Sequence, residues 1–363
     1  MFHRSVTAWV ITLCKGLRLS QAKTLAALVF GAMHCRRVSL ADLAEGMESQ
    51  TTVKHRIKRA WRFMRNSGVE VVEGMRALAH LAAKHSGGRL VVAVDWVEIR
   101  QYQVLRAAVP LRGRSVPIAF AVTNAWSFFR SQNAYEEGFF LLLESLLPKG
   151  TEVVIIADRG FARAELARKL GELGLHHVIR LCGGVCFDSP KHYGLLQELE
   201  LLPGEHRDLG SGLYREEHPV HRRVVAYWGR RQPEPWLLGT DLEWPWRLIV
   251  AVFEQRMMIE ELFRDEKNIR YGWGLRQMRL SSSARLQRMF LVLAFAYILL
   301  LLMGLICKQS LSAAHWSSTT SQRKPTSAFV VGRRMQNKLR FNLRELLALL
   351  ATLLQTSAKE NWG

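Results

Sequence analysis

The spacing of hydrophobic and polar positions changes near residue 87. Before that point apolar residues recur with helical spacing, as in the segment that begins at Ser39 and breaks near Gly46. After Gly87-Gly88, three apolar runs at 89–99, 102–111 and 115–124 have the length and turn-bounded pattern of strands. We therefore expect residues 1–80 to be helical and a sheet to follow.

The next segments alternate between the helical and the strand pattern. Residues 135–147 predict a helix, 151–158 a strand, 162–174 a helix and 176–181 a strand. The order βββαβαβ is that of an RNase H-like fold. The sequence thus predicts an α/β protein whose RNase H-like core begins with residues 87–182 and follows an all-α N-terminal region.

The pattern divides the rest of the chain into three parts. Residues 183–245 carry short strand-like pieces among Pro, Gly, His and Arg, which predicts a mostly β insertion domain. Residues 246–306 return to the helical pattern and would complete the core. Residues 307–363 form a basic tail, in which 317–325 is expected to be loosely attached, and end in an amphipathic helix.

One apolar run within the second core segment allows two interpretations. Met289 to Ile306 contains no charged residue and would span roughly 27 Å as a helix, the short limit for crossing a membrane. The alternative is a fully buried core helix. A lone segment at the lower length limit favours the core helix.

Charge points to a polyanionic partner. Lys and Arg number 51 against 31 Asp and Glu, a formal net charge of +20, which is typical of proteins that bind nucleic acid. Five cysteines, with no CxxC pair, favour reduced thiols in a cytosolic protein. A basic helix after short helices resembles a DNA-binding module, although a solvated basic face is the alternative. Its cations are Lys54, Arg56, Lys58, Arg59, Arg62 and Arg65.

Two aspartates occupy strands that are otherwise apolar. Asp95 lies inside "VVAVDWVEI" and Asp158 ends "VVIIAD", and ionised side chains rarely enter buried strands without a partner or a metal. Together they suggest a shared site for Mg²⁺, which prefers carboxylate oxygens. Asp158 alone could instead cap the following turn. Glu98 faces the other side of its strand and is a weaker candidate.

A third carboxylate is suggested by "FEQRMMIEELFRDEK", residues 253–267. On one continuous helix, Phe253, Arg256, Glu260 and Lys267 fall within about 60° of one another, away from the apolar stripe. Glu261 points elsewhere, so Glu260 is the better candidate ligand. Helix geometry alone favours a simpler interpretation, an Arg256–Glu260 ion pair on a solvated face.

A family resemblance changes that balance. The spacing F-x2-R-x3-E-x6-K resembles the Y-x2-R-x3-E-x6-K signature of the insertion-sequence-four type of bacterial DDE transposases, and "IEELFRDEKNIRYGWGLR" is similar to the transposase of the transposon Tn-ten. "VAVDWV", "IIADRGF", "HVIRL" and "RIKRAWRFMRN" also fit this family. "PWLLGT" resembles its insertion-domain segment, in which a tryptophan stacks on a flipped base, here Trp236. Phe253 replaces the signature's Tyr and lacks its hydroxyl.

The resemblance implies cut-and-paste DNA transposition through a hairpin intermediate. Asp95, Asp158 and Glu260 would hold two Mg²⁺ ions, for which Mn²⁺ can substitute, while Arg256 and Lys267 clamp phosphates. The implied partners are double-stranded DNA, at the transposon ends and the target, and a second copy of the chain in a paired-end complex. A cytoplasmic, nucleoid-associated protein without a membrane is expected. The alternatives are an RNase H-fold nuclease without strand transfer and a catalytically inactive DNA-binding relative.

Overall fold

The N-terminal region begins with five helices. The computed structural model describes residues 2–125, 131–215, 218–279, 281–311 and 326–362. Ser39 caps the third helix, where its Oγ accepts a hydrogen bond from the backbone N–H of Asp42 at 3.1 Å. The helices are α1 (Phe2–Leu13), α2 (Leu19–His34), α3 (Leu40–Glu45), α4 (Val53–Arg65) and α5 (Val71–His85).

A mixed sheet follows, in the predicted order βββαβαβ. Its elements are β1 (Arg89–Ile99), β2 (Tyr102–Leu111), β3 (Arg114–Asn124), α6 (Gln132–Leu146), β4 (Glu152–Ala157), α7 (Ala164–Glu172) and β5 (His176–Arg180). The strands lie in the order β3-β2-β1-β4-β5. β2 is antiparallel to both neighbours, whereas β1, β4 and β5 are parallel. The carboxyl ends of β1 and β4 therefore meet at one edge.

The strand-rich segment after residue 183 continues this sheet instead of forming a sheet of its own. β10 pairs antiparallel with β5, through Leu238 and Arg180 among others, and the remaining strands extend the sheet in the order β9-β8-β6-β7. The sequence pattern identified the strands but not their neighbours. The strands are β6 (Cys186–Ser189), β7 (His192–Leu195), β8 (His206–Arg215), β9 (Val220–Tyr227) and β10 (Trp236–Thr240).

The apolar run forms a core helix. The last helices are α8 (Trp246–Glu254), α9 (Met257–Lys267), α10 (Ser283–Ser310), α11 (Ala328–Met335) and α12 (Leu343–Trp362). α10 is long and apolar enough to cross a membrane, yet 89% of its most apolar window is buried inside the protein. It packs against α2 on one side and β3 on another, so the N-terminal helices and the sheet share one hydrophobic core.

The prediction of one continuous helix over residues 253–267 is wrong. α8 ends at Glu254 and α9 begins at Met257. Between them, backbone hydrogen bonds reach back three residues instead of four, as from Arg256 N to Phe253 O at 2.9 Å. Because this tightening changes the rotation per residue, the angles calculated for a continuous helix from Phe253 to Glu260 do not apply. The loosely attached stretch expected at 317–325 lies outside the described residues.

Candidate active site

Two carboxylates lie where the pairing between the parallel strands β1 and β4 ends. The register of β1 and β4 pairs Val94 with Ala157, which makes Asp95 and Asp158 the next residues of their chains. Asp158 Oδ1 accepts a hydrogen bond from Arg159 N at 2.8 Å and caps the 3₁₀ turn that follows β4. Asp95 Oδ1 accepts one from Trp96 N at 2.8 Å. Each aspartate thus has one oxygen held by the backbone.

A third carboxylate and a guanidinium complete the cluster. Glu260 lies in the first turn of α9, and Arg256 immediately precedes that helix. The Arg256 guanidinium lies 2.9 Å from Glu260 Oε1, 3.6 Å from Asp95 Oδ2 and 3.8 Å from Asp158 Oδ2. The ion pair that helix geometry favoured is therefore present. It does not lie on a free solvated face, because the same cation also faces both strand aspartates.

Negative charge exceeds positive charge in this cluster. Arg256 is largely buried, with 10% of its side chain exposed, whereas Asp95, Asp158 and Glu260 expose 24%, 36% and 40%. Burial raises the pKa of Asp95 to about 6; Arg256 opposes that shift, and Glu260 and Asp158 add to it. Three carboxylates around one guanidinium leave a site that can accept further positive charge.

The chemistry of the donors fits a divalent cation. All three side chains offer carboxylate oxygens, the ligands that Mg²⁺ and Mn²⁺ prefer. Within the described part of the chain, no set of three His, Cys, Asp or Glu side chains is already arranged to hold a metal ion. In the structure the guanidinium of Arg256 lies within ion-pair distance of all three carboxylates.

Lys267 lies at the other end of α9. Burial, followed by repulsion from Arg276, lowers its pKa, while attraction to Asp95 and Glu98 acts in the opposite direction. Its Nζ lies 5.8 Å from the centroid of the Phe263 ring. Lys267 therefore contributes positive potential near Asp95 without a direct ion pair to the three carboxylates.

Phe253 and Trp236 form a packing pair beside the site. Phe253 is a core residue with only 3% of its surface exposed, so its ring packs against its neighbours in this structure. Its ring meets that of half-buried Trp236 edge-on, with centroids 5.0 Å apart. Trp236 starts β10 and also contacts Tyr227.

The cations of α4 divide into two kinds. Lys54, Lys58 and Arg62 are exposed. Arg56 instead donates hydrogen bonds to the carbonyl oxygens of Glu45 and Met47, and Arg59 Nε donates to Thr24 Oγ1 at 3.2 Å. These two arginines attach α4 to the preceding loop and to α2. Their assignment as DNA contacts stays a prediction, and in the structure both have a structural role.

An ion-pair network on the opposite side of α9 escaped the sequence analysis. Arg106, fully buried in β2, forms a bidentate pair with Glu266 at 2.8 and 3.2 Å. Arg114 Nε lies 2.9 Å from Asp265 Oδ2, which also accepts a hydrogen bond from the Tyr297 hydroxyl. A lone arginine in the apolar run "YQVLRAAVPL" was the available signal, because a buried charge requires a partner.

A buried glutamate of α6 was also missed. Glu136 is fully buried and accepts hydrogen bonds from Trp96 Nε1 and Gln132 Nε2, both at 2.9 Å. Its other oxygen pairs with Arg163, the residue that precedes α7. Glu136 therefore links the residue after Asp95 to the loop after Asp158. The sequence pattern of α6 offered only an apolar helix with acidic residues near its start.

An RNase H-like sheet with two aspartates on adjacent parallel strands and a glutamate from a later helix defines a class of enzymes that cleave polynucleotides with metal ions. Residues 87–299 match the family model of the transposase DDE domain. Because the match covers more than half of the chain, the protein belongs to the transposase DDE domain family. Such proteins act on DNA and typically use a divalent metal. No curated protein matches the chain.

Proposed function

We propose that this protein catalyses cut-and-paste transposition of an insertion sequence of the insertion-sequence-four type, with Asp95, Asp158 and Glu260 as its catalytic residues. One observation carries the proposal. Three carboxylates from β1, the end of β4 and α9 converge on the guanidinium of Arg256 within 2.9–3.8 Å. A carboxyl group whose pKa is raised by burial and by neighbouring carboxylates, as for Asp95, is typical of functional sites.

The three carboxylates are the residues that would hold two Mg²⁺ ions, or Mn²⁺ in their place. When bound, the metals activate the attacking hydroxyl and stabilise the leaving oxygen of a phosphodiester. In the structure, the same three carboxylates lie within ion-pair distance of the Arg256 guanidinium. Asp95 has to be ionised to act as a ligand, so acid below pH 6 opposes metal binding.

Arg256 and Lys267 are proposed to bind DNA phosphates. A guanidinium forms bidentate hydrogen bonds with a phosphate, and Arg256 already lies among the carboxylates that define the reaction centre. Lys267 adds a cation on the same side of α9. Both cations would stabilise negative charge that develops on the phosphate in the transition state.

The reaction is a series of displacements at phosphorus. A water oxygen bonds to phosphorus while the bond to the 3′ oxygen breaks, and that oxygen leaves with a proton as a free 3′-hydroxyl. The 3′-hydroxyl then attacks the opposite strand, which closes a hairpin and releases the flanking DNA. Hydrolysis reopens the hairpin, and the 3′-hydroxyl attacks target DNA. Trp236 is proposed to stack on a base that the hairpin expels.

The N-terminal helices are proposed to bind the ends of the element. Lys54, Lys58 and Arg62 are exposed on α4, a helix without acidic residues, and can contact phosphates of double-stranded DNA. A homodimer would pair two ends. The division into a DNA-binding region (1–80), a core (87–182 and 246–306), an insertion domain (183–245) and a tail (307–363) is part of the same proposal.

Strand joining tests this function. Purified protein is incubated with Mg²⁺, a labelled end of the DNA that flanks the gene, and a supercoiled target plasmid. The proposal predicts discrete cleavage followed by covalent joining of the label to the plasmid, with both lost in Asp158→Asn. Cleavage without joining would identify a nuclease. DNA binding without cleavage would identify a catalytically inactive relative.

A further inference from the structure

The break between α8 and α9 occurs without a helix-breaking residue. The junction "VFEQRMMIEE" contains neither proline nor glycine, and most of its residues favour helix. A helix without those residues can break where a side chain enters its hydrogen-bond ladder, and here Gln255 Nε2 donates to the carbonyl oxygen of Ala251 at 3.5 Å while Gln255 N donates to Val252 O. Tertiary contacts that hold the Gln255 side chain in place should therefore stabilise the break.

Gln255 forms a reciprocal amide pair with the last turn of α12. Its Nε2 donates a hydrogen bond to Asn361 Oδ1 at 2.6 Å, and Asn361 Nδ2 donates back to Gln255 Oε1 at 3.4 Å. Asn361 is only 3% exposed, so an unpaired amide there would lose hydrogen bonds that water cannot replace. Asn361 Nδ2 also donates to Ser357 Oγ at 3.3 Å, within its own helix.

The same turn of α12 contacts the other end of α8. Trp362 packs edge-on against Trp244, with ring centroids 5.4 Å apart, and Trp244 lies two residues before α8 begins. α12 thus holds α8 at both ends, through Trp244 before the helix and Gln255 after it. The residue after Gln255 is Arg256, whose guanidinium faces the three carboxylates.

We propose that Asn361 is a positioning residue of the active site, which acts through Gln255 to fix the turn that directs Arg256 and Glu260 toward Asp95 and Asp158. A 3₁₀ turn advances about 20° more per residue than an α-helix. If the turn relaxed, α9 would rotate relative to α8, and Glu260 would move away from the strand aspartates. The catalytic part of this inference rests on the proposed function, whereas the geometric part does not.

Three variants separate positioning from general stability. Asn361→Leu removes the amide pair. Gln255→Asn combined with Asn361→Gln exchanges the two amides and keeps the summed length of the side chains. Leu353→Ala is the control: Leu353 is buried on the same helix, and its two-turn separation places it about 12 Å from Asn361. Its truncation lowers the stability of α12 and leaves both members of the amide pair unchanged.

Hydrogen exchange of the peptide spanning 252–260 gives a readout that needs no enzymatic activity. We expect roughly tenfold faster exchange in Asn361→Leu, as for one or two lost hydrogen bonds, with recovery in the exchanged pair. The control should leave this peptide unchanged at the same loss of global stability. In the end-cleavage assay, Asn361→Leu should lower kcat about tenfold with KM unchanged.

Unchanged exchange at 252–260 in Asn361→Leu, or equal acceleration in Leu353→Ala, would overturn the positioning role. A normal kcat in Asn361→Leu despite faster exchange would overturn its catalytic consequence. A wild-type protein without any end cleavage would overturn the proposed function instead, and the exchange comparison would still decide whether Asn361 fixes the junction.

Discussion

The two sides of α9 hold acidic clusters of opposite character. On one side, Asp265 and Glu266 are 5% and 1% exposed and pair with arginines of β2 and β3 at 2.8–2.9 Å. On the other side, Glu260 and the two strand aspartates are a quarter to two fifths exposed and share Arg256. We refer to the first as the anchor cluster and to the second as the site cluster.

The different pairing in the two clusters distinguishes charges that stabilise the fold from charges that are kept for function. In the anchor cluster two carboxylates face two guanidinium groups, of which Arg114 also pairs with Glu261, so the buried charges are balanced and α9 is fixed to the sheet. In the site cluster two negative charges exceed what Arg256 neutralises, and the carboxylates remain open to solvent. Such an excess weakens the fold and persists where function requires it.

Breaking the anchor cluster should have the largest effect on stability. Glu266→Ala leaves the fully buried guanidinium of Arg106 without its partner, and we expect the free energy of unfolding in urea to fall by about 3–5 kcal/mol. The control Glu254→Ala removes an exposed carboxylate of α8 and should change it by less than about 0.5 kcal/mol. A loss for Glu266→Ala as small as the control's would mean that the buried pair does not anchor α9.

Removing a carboxylate of the site cluster should instead raise the free energy of unfolding. Because the pKa of Asp95 is raised to about 6 in the fold, the protein binds this proton more tightly folded than unfolded, and the stabilisation is lost as pH rises through about 6. Asp95→Asn should therefore be more stable than wild type at pH 7.5, by about 2–3 kcal/mol. The two proteins should converge near pH 4.

Asp208 supplies the matched control for that pH dependence. Its hydrogen bond with Arg223 lowers the pKa of Asp208, so this group stabilises the fold above pH 4 and the effect is lost in acid. Asp208→Asn should be less stable than wild type at pH 7.5. Thermal unfolding across pH 4–8 measures both variants, and a destabilised Asp95→Asn at neutral pH would contradict the assignment of excess charge to the site cluster.

Sequence patterns predicted where strands occur better than they predicted which strands pair. The strand runs at 89–99 and 102–111 coincide with β1 and β2, because turn residues and period mark such elements locally. The pairing of β10 with β5 is not marked locally. The sequence pattern did not predict the break at Gln255–Arg256 for the same reason, because Asn361, the hydrogen-bond partner of Gln255, lies more than a hundred residues away.

The candidate site shows the same division. Asp95 and Asp158 stand out in the sequence because charged residues interrupt apolar strands. Glu260 needed a family signature, as Arg256–Glu260 spacing alone fits any helix surface. The structural role of Arg59 was not predicted, because composition does not reveal that its Nε is hydrogen-bonded to Thr24.

The smallest expected effect distinguishes the two kinds of cation on α4. Lys58→Ala should weaken binding to duplex DNA and leave thermal stability unchanged. The slope of the logarithm of the binding constant against the logarithm of the salt concentration should fall in magnitude by about one. Arg59→Ala should instead lower the free energy of unfolding by about 1 kcal/mol through its lost hydrogen bond. Fluorescence anisotropy at several salt concentrations and urea unfolding test the pair. Equal effects of both changes on both quantities would remove the distinction.

The most direct test of the site cluster compares Glu260→Gln with Glu261→Gln in cleavage of a labelled DNA end with Mg²⁺. The two changes remove the same charge from adjacent residues, but Glu261 faces Arg114 and Arg264 on the other side of α9. We predict that Glu260→Gln lowers the cleavage rate by about a thousandfold while Glu261→Gln retains it. Equal rates in wild type and Glu260→Gln would contradict the account and leave the Arg256–Glu260 pair a structural contact.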